Sequence, residues 1–196
     1  MQQMVDFLAR ADRFHGAWPH YSYLGLDPRH LKDRYADYWQ HNTNQALINW
    51  KYCIANPQHH FGYSAYCWGL TASYDPTGYV GHKPGREKDT GVITPTAALS
   101  SFPYTPEASQ QALRYFYDSL GNELWGQYGF YDAFDLAVDY YPPRYLAIDQ
   151  GPIPVMMENY RTGLLWNLFM SAPEVQAGLT KLGFEFEVEK VVSDTQ

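Results

Sequence analysis

Apolar positions recur at helical spacing in five stretches of the chain, and the longest interval between them carries no such stripe. Met4, Val5, Leu8 and Ala11 predict a short helix over residues 3–11. Asp27-Pro28 reads as an N-cap followed by proline at the first helical position. Leu31, Tyr35, Tyr38 and Trp39 then set an apolar face, which Ala46, Leu47, Trp50 and Ile54 continue until Pro57. Thr105-Pro106-Glu107 opens the next helix, with Ala108, Ala112, Leu113, Phe116 and Leu120 as its stripe. Gly151-Pro152 opens the longest candidate, running to about Met170, and Ala172-Pro173-Glu174 the last, ending at Gly183. Residues 184–189 alternate Phe-Glu-Phe-Glu-Val-Glu, which fits an edge strand or a frayed end. No repeat of fixed period is present.

Residues 57–104 are dense in Tyr, Gly, Pro and Trp, as in Phe61-Gly62-Tyr63, Tyr66-Cys67-Trp68-Gly69 and Tyr74-Asp75-Pro76. Loops beyond about 12–15 residues are uncommon in compact domains and are usually functional or disordered. The aromatic residues argue against disorder, so a ligand-facing loop is expected. A second aromatic segment, Gly126 to Asp135, leads into Tyr145-Leu146-Ala147-Ile148-Asp149-Gln150-Gly151-Pro152.

Composition narrows the function classes. The chain has 196 residues, 45% hydrophobic and 18% charged, which suits one domain with a real core. A net charge of −7 lacks the basic footprint of a nucleic-acid partner. No apolar run approaches the roughly 20 residues that span a bilayer, so no membrane role is expected. Met1-Gln2-Gln3-Met4-Val5-Asp6 lacks the basic start and apolar core of a signal peptide. Cys53 and Cys67 read as small buried hydrophobes, although an oxidising compartment could pair them. The seven histidines show no metal-ligand spacing, and neither a phosphate loop nor a nucleophile elbow occurs, so no cofactor or metal is expected.

The outlying figure is 17% aromatic residues. Sugar rings stack their C–H faces on Trp and Tyr, while their hydroxyls need Asp, Asn, Arg or Gln partners. Trp39, Trp50, Phe116 and Trp166 lie on helical stripes and are assigned to the core. Trp18, Trp68 and Tyr131 lie in Gly- or Pro-rich loops and are assigned to a ligand wall. Asp149 precedes a helix start, where backbone N–H groups favour an anion. The competing reading, favoured by the residues alone, is that Asp149 only caps that helix. Glu158 and Arg161, three apart, could form a structural surface pair. Asp132 and Asp135 are candidates as site or turn residues.

Several motifs together resemble the bacterial glucoamylase-like domain, a family that includes endo-β-1,2-glucanases. They are Tyr23-Leu24-Gly25-Leu26-Asp27-Pro28-Arg29, Cys67-Trp68-Gly69-Leu70-Thr71-Ala72-Ser73, residues 95–104, Tyr128-Gly129-Phe130-Tyr131-Asp132-Ala133-Phe134, Ile148-Asp149-Gln150-Gly151-Pro152 and residues 158–166. The resemblance covers about residues 21–184. It implies an all-α fold built as an (α/α)6 toroid of helical hairpins with long aromatic loops. It also implies inverting hydrolysis of β-glucan, with β-1,2-glucan favoured, by a general acid and a general base without metal. Asp149 matches a catalytic carboxylate in the base role, while Trp68, Tyr131 and Arg161 match positions lining the cleft; Trp18 and Asp132, from the aromatic loops, join them as substrate-binding candidates. A periplasmic or secreted location is implied in the same way.

The chain departs from the family pattern at His20–Tyr21. Residues 11–20 resemble a segment near the start of the family domain, and Tyr21-Ser22-Tyr23-Leu24 one near its middle. The intervening stretch, with an Asp-Leu-Val-Glu-type and an Asn-Glu motif, is absent. The expected organisation is therefore an N-terminal helix and loop over 1–20, the C-terminal half of the domain over 21–184 and a tail over 185–196. Five recognisable helices against the twelve of a toroid agree with a partial toroid. Two consequences are expected: loss of the general acid with little or no hydrolysis, and self-association through exposed apolar helix faces. A non-catalytic glycan-binding protein and a helical interaction protein remain open alternatives.

Overall fold

The structure is a computed structural model that describes residues 19–188. The helix expected over 3–11 and the candidate wall residue Trp18 lie outside the described residues. Among the described residues the chain is mostly helical, with two small antiparallel hairpins beside the helices. In order, a 3-10 turn at Pro19–Tyr23 precedes α1 (Tyr38–Ala55), β1 (Ala72–Asp75), β2 (Gly78–Gly81), α2 (Pro95–Leu99) and α3 (Pro106–Arg114). A π-helical turn, Tyr115–Ser119, continues α3 into α4 (Gly121–Leu124), followed by β3 (Trp125–Gly126) and β4 (Gly129–Phe130). Then come α5 (Ala147–Gln150), α6 (Pro152–Thr162), α7 (Leu164–Met170) and α8 (Pro173–Leu182).

The first long helix starts ten residues later than Asp27-Pro28 suggests, with Asp37 as its N-cap, accepting from the Gln40 amide at 3.0 Å. Asp27 is otherwise engaged. Its carboxylate accepts from the Arg29 amide at 2.9 Å and from the Arg29 guanidinium at 2.7 Å. Lys32 then exchanges two backbone hydrogen bonds with Glu185, at 2.9 and 2.8 Å, which holds it extended. That bridge also pins the start of the alternating segment. Phe184 and Phe186 turn inward against Tyr23, Leu31, Met170 and Leu179, and Glu185 and Glu187 are exposed.

The long helix expected from Gly151 to Met170 is two helices. Gly163 adopts φ +70°, a left-handed conformation that glycine reaches without strain. The side chain of Asn159 then caps α7 from inside α6, its Oδ1 accepting from the Leu165 and Trp166 amides at 3.0 and 3.1 Å.

The aromatic stretch 57–104 is ordered by polar pins around small elements. The β1–β2 turn closes on Asp75, whose Oδ1 accepts from the Thr77 and Gly78 amides at 2.7 and 3.0 Å. Asp89 is buried and accepts from the Tyr52 and Tyr63 hydroxyls at 2.8 and 2.7 Å, with His60 Nε2 at 3.3 Å. Gly69, at φ +134°, lets the segment before β1 lie close to the start of α2, since a Cβ there would stand 2.7 Å from the Thr94 carbonyl oxygen.

The main core gathers Trp68, Phe116, Leu124, Phe130 and Phe134 with Cys53, Cys67, Leu70 and Leu99. Phe116 meets Phe134 edge to face at 5.4 Å. The stripe residues Phe116 and Trp166 are buried as expected, and Trp39 and Trp50 are half-buried. Cys53 and Cys67 are buried free thiols, and burial raises the pKa of both, Cys67 to about 12. No described helix is long and apolar enough to cross a membrane.

Candidate functional site

Asp149 lies in the single helical turn α5. The amides of Asp149 and Gln150 both close onto the Leu146 carbonyl, at 3.0 and 2.8 Å. Gly151 keeps helical dihedrals, so the chain runs from α5 directly into α6 without a side-chain cap. The capping role for Asp149 is therefore wrong. Its carboxylate Oδ1 instead accepts the Tyr21 hydroxyl at 3.0 Å, and the residue is 1% exposed.

The second carboxylate, Asp132, follows β4. Its amide donates to the Arg144 carbonyl at 2.9 Å, and its Oδ2 accepts the Tyr74 amide of β1 at 2.8 Å. Gln150 ties α5 to β4 by donating to the Phe130 carbonyl at 3.0 Å, which holds Asp149 beside Asp132. The two carboxyl groups interact directly, each acting on the ionisation of the other. Asp132 is also 1% exposed.

Burial dominates the electrostatics. Desolvation raises the pKa of Asp149 to about 7, with the Asp132 carboxyl adding to the rise and the Tyr21 hydroxyl opposing it. The favourable helix start that the sequence offers does not prevail over the loss of water. Asp132 is raised for the same leading reason, and the Tyr74 amide, Asp149 and Arg144 hold it down. The Tyr21 phenol is raised by burial and by Asp149.

Tyr21 owes its place to three anchors in its own turn. His20 Nδ1 lies 3.2 Å from Ser100 Oγ, Trp166 Nε1 donates to the Tyr23 carbonyl at 2.7 Å, and Asn159 donates to the Leu24 carbonyl at 2.9 Å. His20 is wholly buried, and desolvation lowers its pKa to about 3, so it is neutral. Tyr21 and Tyr74 are the site residues that sequence reasoning missed. Tyr21 is 128 positions from Asp149, and Tyr74 acts through its backbone, so neither leaves a local signal.

Around the pair stands an aromatic rim. Tyr74 and Tyr79 meet at 5.5 Å across the first hairpin, and the Arg144 guanidinium lies 4.2 Å over the Tyr74 ring. Tyr131 is half-buried at 5.4 Å from Tyr145, which meets exposed Tyr128 at 5.3 Å. Gly126 permits this close approach, because a Cβ there would run into Tyr145 and Tyr131.

The structure thus brings Asp149 and Asp132 together, with Tyr131 next to Asp132 in the chain, and gives the other described candidates other roles. Trp68 is fully buried in the core, its indole N–H donating to the Ala108 carbonyl at 3.3 Å. No face of its ring is open to a sugar, which corrects its assignment to a ligand wall. Arg161 is exposed on α6 and pairs with Glu158 at 2.8 Å, the surface ion pair that the spacing allows. Asp135 is a turn residue, accepting from the Ala137 amide at 2.8 Å.

Comparison with known proteins gives consistent matches. The Glycoamylase family, described as "Putative glucoamylase", matches residues 17–173. An exo-β-1,2-glucooligosaccharide sophorohydrolase (non-reducing end) of Parabacteroides distasonis is 52% identical over 163 residues, covering 83% of this chain and 23% of the relative. The endo-β-1,2-glucanase of Chitinophaga pinensis, solved with sophorotriose and glucose, is 61% identical with a TM-score of 0.86, covering 88% of this chain and 42% of that one. A β-1,2-glucanase structure from Parabacteroides distasonis is 51% identical with a TM-score of 0.81, covering 83% and 23%. The chain spans less than half the length of each of these relatives.

Proposed function

The chain belongs to the Glycoamylase family, and on that premise we propose that it is a glycoside-hydrolase-type domain for β-1,2-linked glucan, with Asp149 as its proton-handling carboxylate. The observation that carries this reading is a buried aspartate poised at about pH 7 beneath a rim of tyrosines. A base of that pKa accepts a proton from an attacking water better than an ordinary carboxylate does. Tyr131 belongs to the substrate-facing side of the same site, and Asp132 lies buried beside Asp149. The relatives act on, or are solved with, β-1,2-linked gluco-oligosaccharides by their names.

Hydrolysis needs two carboxyl groups astride the bond, roughly 6.5–9.5 Å apart for inversion and about 5–5.5 Å for retention. Asp132 and Asp149 are buried and interact directly with each other rather than across an open bond, so the pair supplies one of the two functions. The other is assigned to the acidic motifs that the family carries between the segments matching His20 and Tyr21. The chain then represents part of an (α/α)6 toroid over residues 21–184, binds oligosaccharide and hydrolyses little. The same reading places it in the periplasm or outside the cell, and gives its exposed apolar residues to self-association.

Titration with sophorotriose and with β-1,2-glucan, followed by tryptophan fluorescence beside a reducing-sugar assay, tests both parts. Quenching by β-1,2-linked sugar and not by cello-oligosaccharide, with little reducing sugar released, is the expected result. Absence of any response to β-glucans removes the carbohydrate reading; full-rate cleavage removes the claim that the acid is missing.

A further inference from the structure

We propose that Asp132 and Asp149 hold one proton between Asp132 Oδ1 and Asp149 Oδ2, and that Asp132 is a positioning residue governing the ionisation of Asp149. The proposal deepens the reading of Asp149 as the proton-handling group, but its test requires no sugar.

The four carboxylate oxygens divide cleanly. Asp149 Oδ1 receives the Tyr21 hydroxyl at 3.0 Å, and Asp132 Oδ2 receives the Tyr74 amide at 2.8 Å. Asp132 Oδ1 and Asp149 Oδ2 are buried and have no donor. Two interacting ionised carboxylates, each with a buried donorless oxygen, combine like-charge repulsion with an unmet hydrogen-bonding need. A single proton between those oxygens removes both penalties, converting the contact into a charge-assisted O–H···O bond.

The surroundings make the sharing unequal. Tyr74 donates through its backbone on β1, a donor that no pH change removes, and it favours charge on Asp132. Arg144 adds a positive charge on the same side. Asp149 faces the Tyr21 phenol from the 3-10 turn and Tyr79 from β2, and Tyr140 adjoins Asp132; none of these three carries positive charge. The proton therefore resides chiefly on Asp149, in line with the larger rise of that group to about 7. Asp132 acts on the chemistry only through Asp149.

Selective 13C labelling of aspartate carboxyl carbons, with an NMR titration from pH 4 to 9, reads this directly. In the intact protein the Asp132 and Asp149 signals should move together, with a step near neutrality. Asp132→Asn should abolish the shared step and lower that of Asp149 by about one pH unit, because the amide donates and no charge opposes ionisation while the burial remains. Tyr21→Phe should move the step upward, since it removes the donor that favours the Asp149 anion. Where Asp132→Asn fails to fold, the intact protein and Tyr21→Phe decide the matter. Independent titration of both groups in the ordinary carboxylate range, or an Asp149 step unmoved in Asp132→Asn, overturns the proposal. Failure of the protein to bind β-glucan leaves it standing.

Discussion

The phenol of Tyr21 donates to Asp149 Oδ1 at 3.0 Å, joining the first described turn to the helical turn before α6. The contact favours the charged form of Asp149 while burial and Asp132 favour the neutral form, and burial prevails.

Tyr21→Phe should therefore raise the pKa of Asp149 and cost about 1 kcal/mol of stability at pH 8, the usual contribution of one hydrogen bond. Thermal unfolding at pH 8 and pH 5 checks this. The loss should shrink at pH 5, where Asp149 is protonated and gains less from the phenol's proton.

Because folding raises Asp149 from 3.8 to about 7, the folded state binds more protons than the unfolded state between those values. Stability from this group is complete below pH 3.8 and is lost as pH rises through about 7. Asp149→Asn should remove that dependence and stabilise the protein at pH 8 by roughly 1–3 kcal/mol, or about 2–8 °C in Tm. Denaturant unfolding across pH 4–9 is the measurement, and equal slopes in the two proteins would contradict the burial of the pair.

Trp68→Ala should cost about 3–5 kcal/mol, as removal of a fully buried aromatic does, and Trp68→Phe less. Trp68→Phe should also leave affinity for β-1,2-gluco-oligosaccharides unchanged. A tenfold weaker affinity with unaltered Tm would return Trp68 to the ligand wall.

Gly69→Ala places a methyl group 2.7 Å from the Thr94 carbonyl in a backbone conformation of φ +134°. A loss of about 2–3 kcal/mol in Tm-derived stability is expected, from strain added to a clash with backbone that cannot rotate away.

Tyr160, Leu164, Leu168, Phe169 and Leu182 are exposed on α6, α7 and α8. Light scattering behind size exclusion should give a mass above 22.6 kDa that rises with loading. Leu164→Ser with Leu168→Ser should reduce it. A single 22.6 kDa species at all concentrations would remove the self-association reading.

Local chemistry made some elements legible and hid others. Pro106 and Pro173 follow residues that start helices, and the structure begins α3 and α8 there. The helix after Asp27 failed because the Arg29 guanidinium captured the capping carboxylate and Glu185 captured the backbone of Lys32, a partner distant in the sequence. The break at Gly163 was a local signal, but φ +70° needed Asn159 to receive the next helix. Trp68 lies in a glycine-rich loop as a sugar platform would, yet the loop folds inward and its indole finds Ala108.

The sequence by itself determined that helices dominate, where α3 and α8 begin, and which family the motifs resemble, Asp149 lying in one of those motifs. Those features rest on residue type and short spacing. Only the tertiary structure decided that Asp149 is not a helix cap, that Asp132 is its partner and that Tyr21 and the Tyr74 amide divide their oxygens. Each of those contacts joins segments far apart in the chain, and the protonation of an acid depends on the water and charge around it, which are set when those segments meet.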